Sequence, residues 1–536
     1  MNHNVSLALK FALGLGIMFS AATATFGQGM VSAPDTEHLT VQYAALTKAP
    51  VQEIITMQRL LRRLGYLKTE QLSRKMDEAT SAALDAHYTA AGRAIQNVSA
   101  IQAIRSLFAE AWAKEGWGTG NVDGQELVVD KDKVRIAQQA LKQLGYEPGP
   151  MDGVFGPATY SSIESFQEDA GMKVRGLLTR DINHNITRAL KFAENPPKTI
   201  IHMLNWTTYI NPDTLDKFET ETGIRVAYDT YTSSSESKDL LLAGSDKYDV
   251  VIQTGSQMRL VLEGKNPVLT LDRTKIPNAA DVDPKVRTAS DVLDPGNLHS
   301  EPYMWGTMGL AVNVDKVKAI NPDFKLDSTS LIMDPKIAAT LAQCGISMVD
   351  EPLDVMPTLI AYLGGDIKNI GIADIEAVDA AFGKISQYVK RVPDEGWGES
   401  MVSGKYCVSI GYPGATFRAA EEAKKKGTGQ IIYSVPKEGT EMWLDFFVIP
   451  TNAQNKDAAY KLIDFMLRPD IAAANTNFLH YANPITTSAQ YIEPAILKEK
   501  GLYPPSATLK KISAIAPISP DEEKLLQATW EKLPKQ

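Results

Sequence analysis

Ser235 and Lys238 stand three residues apart, the spacing at which a lysine can activate a serine hydroxyl for acyl transfer. The companion Ser-Asp-Asn and Lys-Thr-Gly elements do not occur, and the pair lies in a stretch of helical pattern, so the match is assigned to chance. The seven histidines are scattered, with no two at zinc-ligand spacing, and neither a Gly-x-Ser-x-Gly elbow nor a Walker loop is present. No metal site, no cofactor and no catalytic centre is expected. Cys344 and Cys407 are the only cysteines; an oxidising compartment would favour their pairing, and two buried free thiols are the alternative. Lys424-Lys425-Lys426 reads as solvated charge at a helix end. Two segments rich in rings and hydroxyls remain, Asn205-Trp206-Thr207-Thr208-Tyr209 and Thr254-Gly255-Ser256.

The elements around those two segments place them at a ligand. Ile200 to Trp206 reads as a strand; Asn211-Pro212 supplies a cap and a first-turn proline for a helix that buries Leu215 and Phe218 and stops at Gly223. Residues 224–228 alternate as a strand, 235–244 carry a helical pattern, and 248–252 form another apolar strand. A β-α-β-α-β order predicts a parallel sheet covered by helices, with ligands beyond the carboxyl ends of the strands. Both segments follow such ends.

Asn195-Pro196-Pro197-Lys198 marks a boundary before this module. Ahead of it a weak repeat sets Met57-Gln58-Arg59-Leu60-Leu61-Arg62-Arg63-Leu64-Gly65-Tyr66 beside Ala137-Gln138-Gln139-Ala140-Leu141-Lys142-Gln143-Leu144-Gly145-Tyr146, each an amphipathic helix stopped by glycine. The second copy continues into Asp152-Gly153-Val154-Phe155-Gly156 and a helix carrying Phe166-Gln167. Residues 134–179 thereby resemble the peptidoglycan-binding-like domain, a small three-helix module, which is assigned to residues 131–190. A degenerate copy is assigned to 45–92, where the Asp-Gly-x-Phe-Gly turn is missing, and residues 93–130 match no motif.

From about residue 198 to the C-terminus the chain is similar to the periplasmic polyamine-binding proteins, the putrescine and spermidine receptors of ATP-driven importers. The similarity rests on Asn205-Trp206-x-x-Tyr209-Ile210, Phe218-Glu219-x-Glu221-Thr222-Gly223, Leu241-Leu242-Ala243-Gly244, Pro302-Tyr303-Met304-Trp305-Gly306-Thr307, Asn313-Val314-Asp315-Lys316-Val317, Pro436-Lys437-Glu438-Gly439 and Leu467-Arg468-Pro469-Asp470, in order. It implies an α/β fold, a two-lobed periplasmic binding protein (type II) module, preceded here by the small all-α peptidoglycan-binding-like region. The chain would leave lobe one near Trp305 and return near Gly429, so that lobe one holds about 199–304 and 430–470 and lobe two about 306–429 and 471–536. A disulfide between Cys344 and Cys407 is also implied.

Carried over position by position, the resemblance puts the ligand site on Trp206, Thr207, Thr208, Tyr209, Ser256, Asp354, Tyr412, Ala415, Trp443, Asp445 and Tyr481. Aromatic faces can cover a methylene chain and attract a cation, and carboxylates can neutralise the ammonium ends. The resemblance puts carboxylates where this chain has Thr208 and Ala415, a glutamate at Asp354 and a tryptophan at Tyr412; only Asp445 among the acids is unchanged. A different polyamine, a monocationic amine or weakly bound putrescine is the expected consequence. The implied partners are a polyamine or related amine, an ABC permease in the inner membrane and cell-wall peptidoglycan, with the receptor a monomer; a cell-wall hydrolase or cell-wall-associated protein that uses the C-terminal module only for binding is the alternative.

A chain of 536 residues has room for two to four domains, and its net charge of -9 argues against nucleic acid or an anionic membrane surface as partner. Lys10, the apolar residues 11–22 and Ala22-Thr23-Ala24 read as a cleavable export signal over residues 1–24, which would deliver a periplasmic protein beginning near Thr25.

Overall fold

Six helices precede residue 198 among the residues that the computed structural model describes, which are 46–69, 71–92, 98–122, 125–265 and 267–536. They are α1 (Val51–Arg63), α2 (Glu78–Ala90), α3 (Ala100–Lys114), α4 (Lys131–Gln143), α5 (Pro157–Asp169) and α6 (Arg180–Ala189). The export signal expected over residues 1–24 lies outside the described residues.

Two glutamines show how the repeat is built. Gln58 of α1 donates through Nε2 to Ser73 Oγ, Lys75 O and Thr80 Oγ1, and its Oε1 accepts from the Arg74 N–H. Gln138 of α4 donates to Asp152 Oδ1, Val154 O and Thr159 Oγ1, and accepts from the Gly153 N–H. The turn whose motif is missing from the first copy therefore keeps its shape. Arg74 holds φ at 59° where Gly153 holds 75°, a conformation that costs a residue with a Cβ and suits glycine. Residues 98–122 complete the first copy: α3 packs on α1, and the fully buried Trp117 stacks on Tyr160 of α5 with ring centroids 5.7 Å apart. A short hairpin follows, β1 (Asn121–Val122) with β2 (Gln125–Glu126).

The second module contains β3 (Ile200–Trp206), β4 (Arg225–Tyr231), β5 (Val250–Thr254), β6 (Glu301–Thr307), β7 (Gly309–Asn313), β8 (Ile346–Val349), β9 (Val389–Val392), β10 (Val408–Gly411), β11 (Ile431–Ser434), β12 (Thr440–Val448) and β13 (Ile512–Ser513). Parallel pairing of β3 with both β4 and β5 is the arrangement that the β-α-β-α-β pattern predicts. β12 extends this first sheet antiparallel to β5 and β6, and β13 joins the start of β12. The second sheet runs β11-β7-β10-β8-β9. Cys344 and Cys407 form a disulfide that ties the segments entering β8 and β10, which are neighbours in this sheet.

The chain passes from the first sheet to the second between Thr307 and Gly309, and returns between Ser434 and Thr440. The return lies beyond Gly429, where the resemblance puts it, because β11 pairs with β7 in the second sheet. Residues 471 to about 487 also belong to lobe one rather than lobe two. The Asn475 side chain accepts from the Asn211 N–H at 2.8 Å, Ala482 O accepts from the Trp305 N–H, and Asp281 accepts from the Thr487 N–H. The C-terminal helix Pro520–Trp530 lies on lobe two, where Trp530 Nε1 donates to Asp350 at 2.7 Å.

β4 is an edge strand, and the helical unit covers it. Asn185 of α6 exchanges two hydrogen bonds with the Tyr228 backbone, Asp229 accepts from the Lys173 N–H, and Gln125 donates to Thr230 Oγ1 at 2.7 Å. The buried Arg188 meets Glu219 at 3.4 Å and donates to Val226 O. Such pairing removes an open row of strand donors and acceptors from water. No helix among the described residues is long and apolar enough to cross a membrane.

Candidate functional site

The loops after β3 and β5 meet at their carboxyl ends. Trp206 Nε1 donates to Thr254 Oγ1 at 3.2 Å, and its ring lies 4.6 Å from that of Tyr231. The Thr207 N–H donates to Tyr231 O. Thr208 adopts φ 53°, an uncommon left-handed conformation for a β-branched residue, and its N–H points to Asp181 Oδ2 at 3.4 Å. Tyr209 is buried, and its carbonyl accepts from Asn205 Nδ2 and Tyr303 OH. Ser256 lies partly exposed in the first turn of the helix Gly255–Leu262. Gly255 is required there, since a Cβ would stand 2.6 Å from Leu444 O on β12.

From Tyr209 a file of rings crosses between the lobes. Tyr209 meets Tyr481 at 5.5 Å, Tyr481 meets Trp443 at 5.3 Å, and Trp443 meets Tyr412 at 6.2 Å, each pair edge to face. Tyr412 OH then donates to Asp354 Oδ2 at 2.6 Å. Tyr209, Trp443 and Tyr481 come from lobe one, whereas Tyr412, at the start of the helix Pro413–Lys426, and Asp354, in the first turn of the helix Pro352–Leu363, come from lobe two. Gly414 lets that lobe-two helix approach, because a Cβ would lie 2.5 Å from the Tyr481 ring. Ala415, next in the same turn, adds no charge.

Asp445 stands on β12 opposite Thr254 of β5 and is 6% exposed. Burial pushes its carboxyl up to about 7, with the charge of Asp354 adding to the shift. Burial likewise raises Asp354, against the hydrogen bond from Tyr412. No Lys, Arg or His among the described residues stands close enough to either carboxyl to neutralise it. No group of side chains suited to a metal ion occurs among the described residues either.

Two acids at this site escaped the sequence reading. Glu441 precedes Trp443 by two residues and Asp445 by four on β12, so strand alternation puts all three on one face. It is 5% exposed, and its carboxyl is raised by burial and by the charge of Asp354. The alternation in Thr-Glu-Met-Trp-Leu-Asp was the available signal. Asp181, from α6 of the helical unit, reaches the Trp206–Tyr209 loop from across the domain boundary, and burial pushes its carboxyl up to about 6.

Residues 130–182 match a peptidoglycan binding domain. The second module is similar to the putrescine-binding periplasmic protein SpuD of Pseudomonas aeruginosa, 34% identical over 64% of this chain and 93% of that protein. It is also similar to the putrescine-binding periplasmic protein PotF of Escherichia coli, 32% identical over 62% of this chain and 90% of that protein. In fold it matches the spermidine/putrescine ABC transporter substrate-binding protein PotD of Streptococcus pneumoniae, with a TM-score of 0.54 at 23% identity, covering 62% of this chain and 99% of that one. Residues 213–505 match the model of the bacterial extracellular solute-binding proteins, and it is to this family, with its two-lobed α/β fold, that the chain belongs.

Proposed function

We propose that the protein captures a polyamine or related cationic amine in the periplasm and delivers it to an ABC permease. The observation that carries this reading is a pair of carboxyls, the partly buried Asp354 and the buried Asp445, that have no cation beside them among the described residues and flank a file of aromatic rings. A buried carboxylate without a counter-charge is costly, and a ligand cation removes that cost. Each ring face in contact with the ligand adds about 0.5–2 kcal/mol through the quadrupole. Trp206, Thr207, Thr208, Tyr209, Ser256, Asp354, Tyr412, Trp443, Asp445 and Tyr481 form the proposed site. Because these residues come from both lobes, a ligand that touches both favours closure over the open form.

Thr208 and Ala415 bring no carboxylate to this site, so we expect putrescine to bind weakly relative to another polyamine or to a monocationic amine. Calorimetric titration of the full chain with putrescine, spermidine and n-butylamine tests both statements. Binding of none of these excludes the amine reading, and nanomolar putrescine binding excludes the altered preference alone. The helical unit is proposed to hold the receptor at the cell wall. Retention of the full chain on purified sacculi above a control protein is the expected result, and no retention above that control removes the wall-binding role.

A further inference from the structure

We propose that Glu441 is a further ligand-binding carboxylate, and that with Asp354 it forms a two-acid end of the cleft that grips a terminal nitrogen cation carrying at least two N–H donors. This rests on the amine-binding reading above and names the residue that would set its selectivity.

Glu441 projects from the same face of β12 as Trp443 and Asp445, beside the point where the chain has just returned from the second sheet to the first. Its neighbours fix it there. The adjoining Thr440 donates to Met308 O at 2.7 Å and pairs through its hydroxyl with Thr358, one turn beyond Asp354 on the same helix, while Glu441 itself stands in register with Ser513. Only 5% of the residue is exposed, and Oε2 has no hydrogen-bond partner among the described residues. Buried polar atoms in folded proteins are almost always paired, so a lone carboxylate oxygen on the face of β12 that carries Trp443 and Asp445 marks the place of an absent donor.

No described residue supplies that donor. The charged group that acts on Glu441 is another acid, Asp354, whose Oδ2 already accepts from Tyr412. Two acids that feel each other's charge in a poorly hydrated place resist ionising together until a cation lies between them. An apolar residue would serve stability better at such a position, because burying an unpaired acid has no structural return. An ammonium has three donors and a guanidinium five, so either can bridge the two carboxyls. The added acid restores charge to a cleft in which Thr208 and Ala415 carry none.

The test titrates the full-length protein with putrescine, spermidine and the guanidino-amine agmatine, in wild type, Glu441→Gln and Glu441→Met. Glu441→Met removes an unpaired buried acid and retains an apolar side chain of similar length, so it remains informative if the glutamine variant folds poorly. Each replacement is expected to weaken the tightest of the three ligands at least tenfold. Repeating the titrations in buffers of different ionisation enthalpy reads proton release on binding. Asp354, Asp445 and Tyr412 are the other titratable groups facing this end, and fewer protons should be released when Glu441 is absent. Affinity within twofold of wild type in both variants, or unchanged proton release, overturns the proposal while leaving the amine reading in place. If the wild type binds none of the three amines, the amine reading fails and the proposal falls with it. A stronger effect on agmatine than on putrescine identifies guanidinium as the favoured end group, and the reverse identifies ammonium; either ordering supports the two-acid grip.

Discussion

Asp181 Oδ2 lies 3.4 Å from the backbone nitrogen of Thr208, so a side chain of the helical unit braces the loop between Trp206 and Tyr209. The loop needs such a brace, because Thr208 holds a left-handed conformation that a β-branched residue avoids when free. Asp181→Ala is expected to weaken amine binding about three- to tenfold, the range of one lost hydrogen bond of about 1 kcal/mol. Asp181→Asn keeps an acceptor and should lie within about threefold of wild type. Titration calorimetry on the three proteins separates these outcomes, and equal affinity in all three would remove the helical unit from the function of the site.

The disulfide between Cys344 and Cys407 closes a loop with a sequence separation of 63. In the chain-entropy account a loop of that length stabilises the folded state by about 4 kcal/mol. Urea unfolding with and without reductant should show a loss of that order, with the midpoint moved and the ligand contacts unchanged. A shift under about 1 kcal/mol would mean that the reduced, unfolded chain keeps structure around this loop.

Some of this molecule is legible in its sequence because the signals are local. Asn211 caps the helix Pro212–Thr222 by accepting from the Asp213 N–H, and Gly223 ends it at φ 69°, so both ends can be read from three residues. The two site segments follow from strand order alone. The turn around Arg74 is not legible, since its shape depends on Gln58 filling it from the neighbouring helix rather than on a glycine. Asp181 carries no signal at all, because its role arises only when two domains meet. Glu441 is hidden for a different reason: a charged residue in an alternating strand normally marks the solvent face, and here that face is buried. The position of β11 in the second sheet is set by pairing with β7, more than 100 residues earlier in the chain, which no local pattern encodes.

Asn185 closes the open edge of β4 by donating to Tyr228 O at 2.9 Å and accepting from the Tyr228 N–H at 3.1 Å. Leucine at this position would fill similar space and satisfy neither group. Leaving two buried backbone groups unpaired costs about 1–3 kcal/mol each. Asn185→Leu should therefore lower the unfolding midpoint and speed amide exchange at Tyr228, with the neighbouring Lys173–Asp229 contact limiting the spread of the effect. Unchanged exchange at Tyr228 would show that the helical unit does not protect this edge.

Asp445 gives folding and binding opposite pH dependences. Burial pushes its carboxyl up to about 7 in the folded protein, whereas in the unfolded chain it ionises near 3.9. Below about pH 4 both states hold the proton and the contribution to stability is complete. Between about 4 and 7 only the folded state holds it, so stability falls as pH rises, by about 1.4 kcal/mol per unit, and above 7 the loss is finished. From pH 5 to pH 8 the unliganded protein should lose about 3 kcal/mol through this group, and Glu164, also pushed up to about 7 by burial, adds a slope of the same sign. A ligand cation instead requires the ionised carboxylate. Affinity should therefore rise about tenfold per unit up to pH 7 and then level off. Asp445→Asn should reduce both the stability slope and that rise, and wild-type affinity that stays flat between pH 5.5 and 7.5 would exclude Asp445 as the partner of the cation.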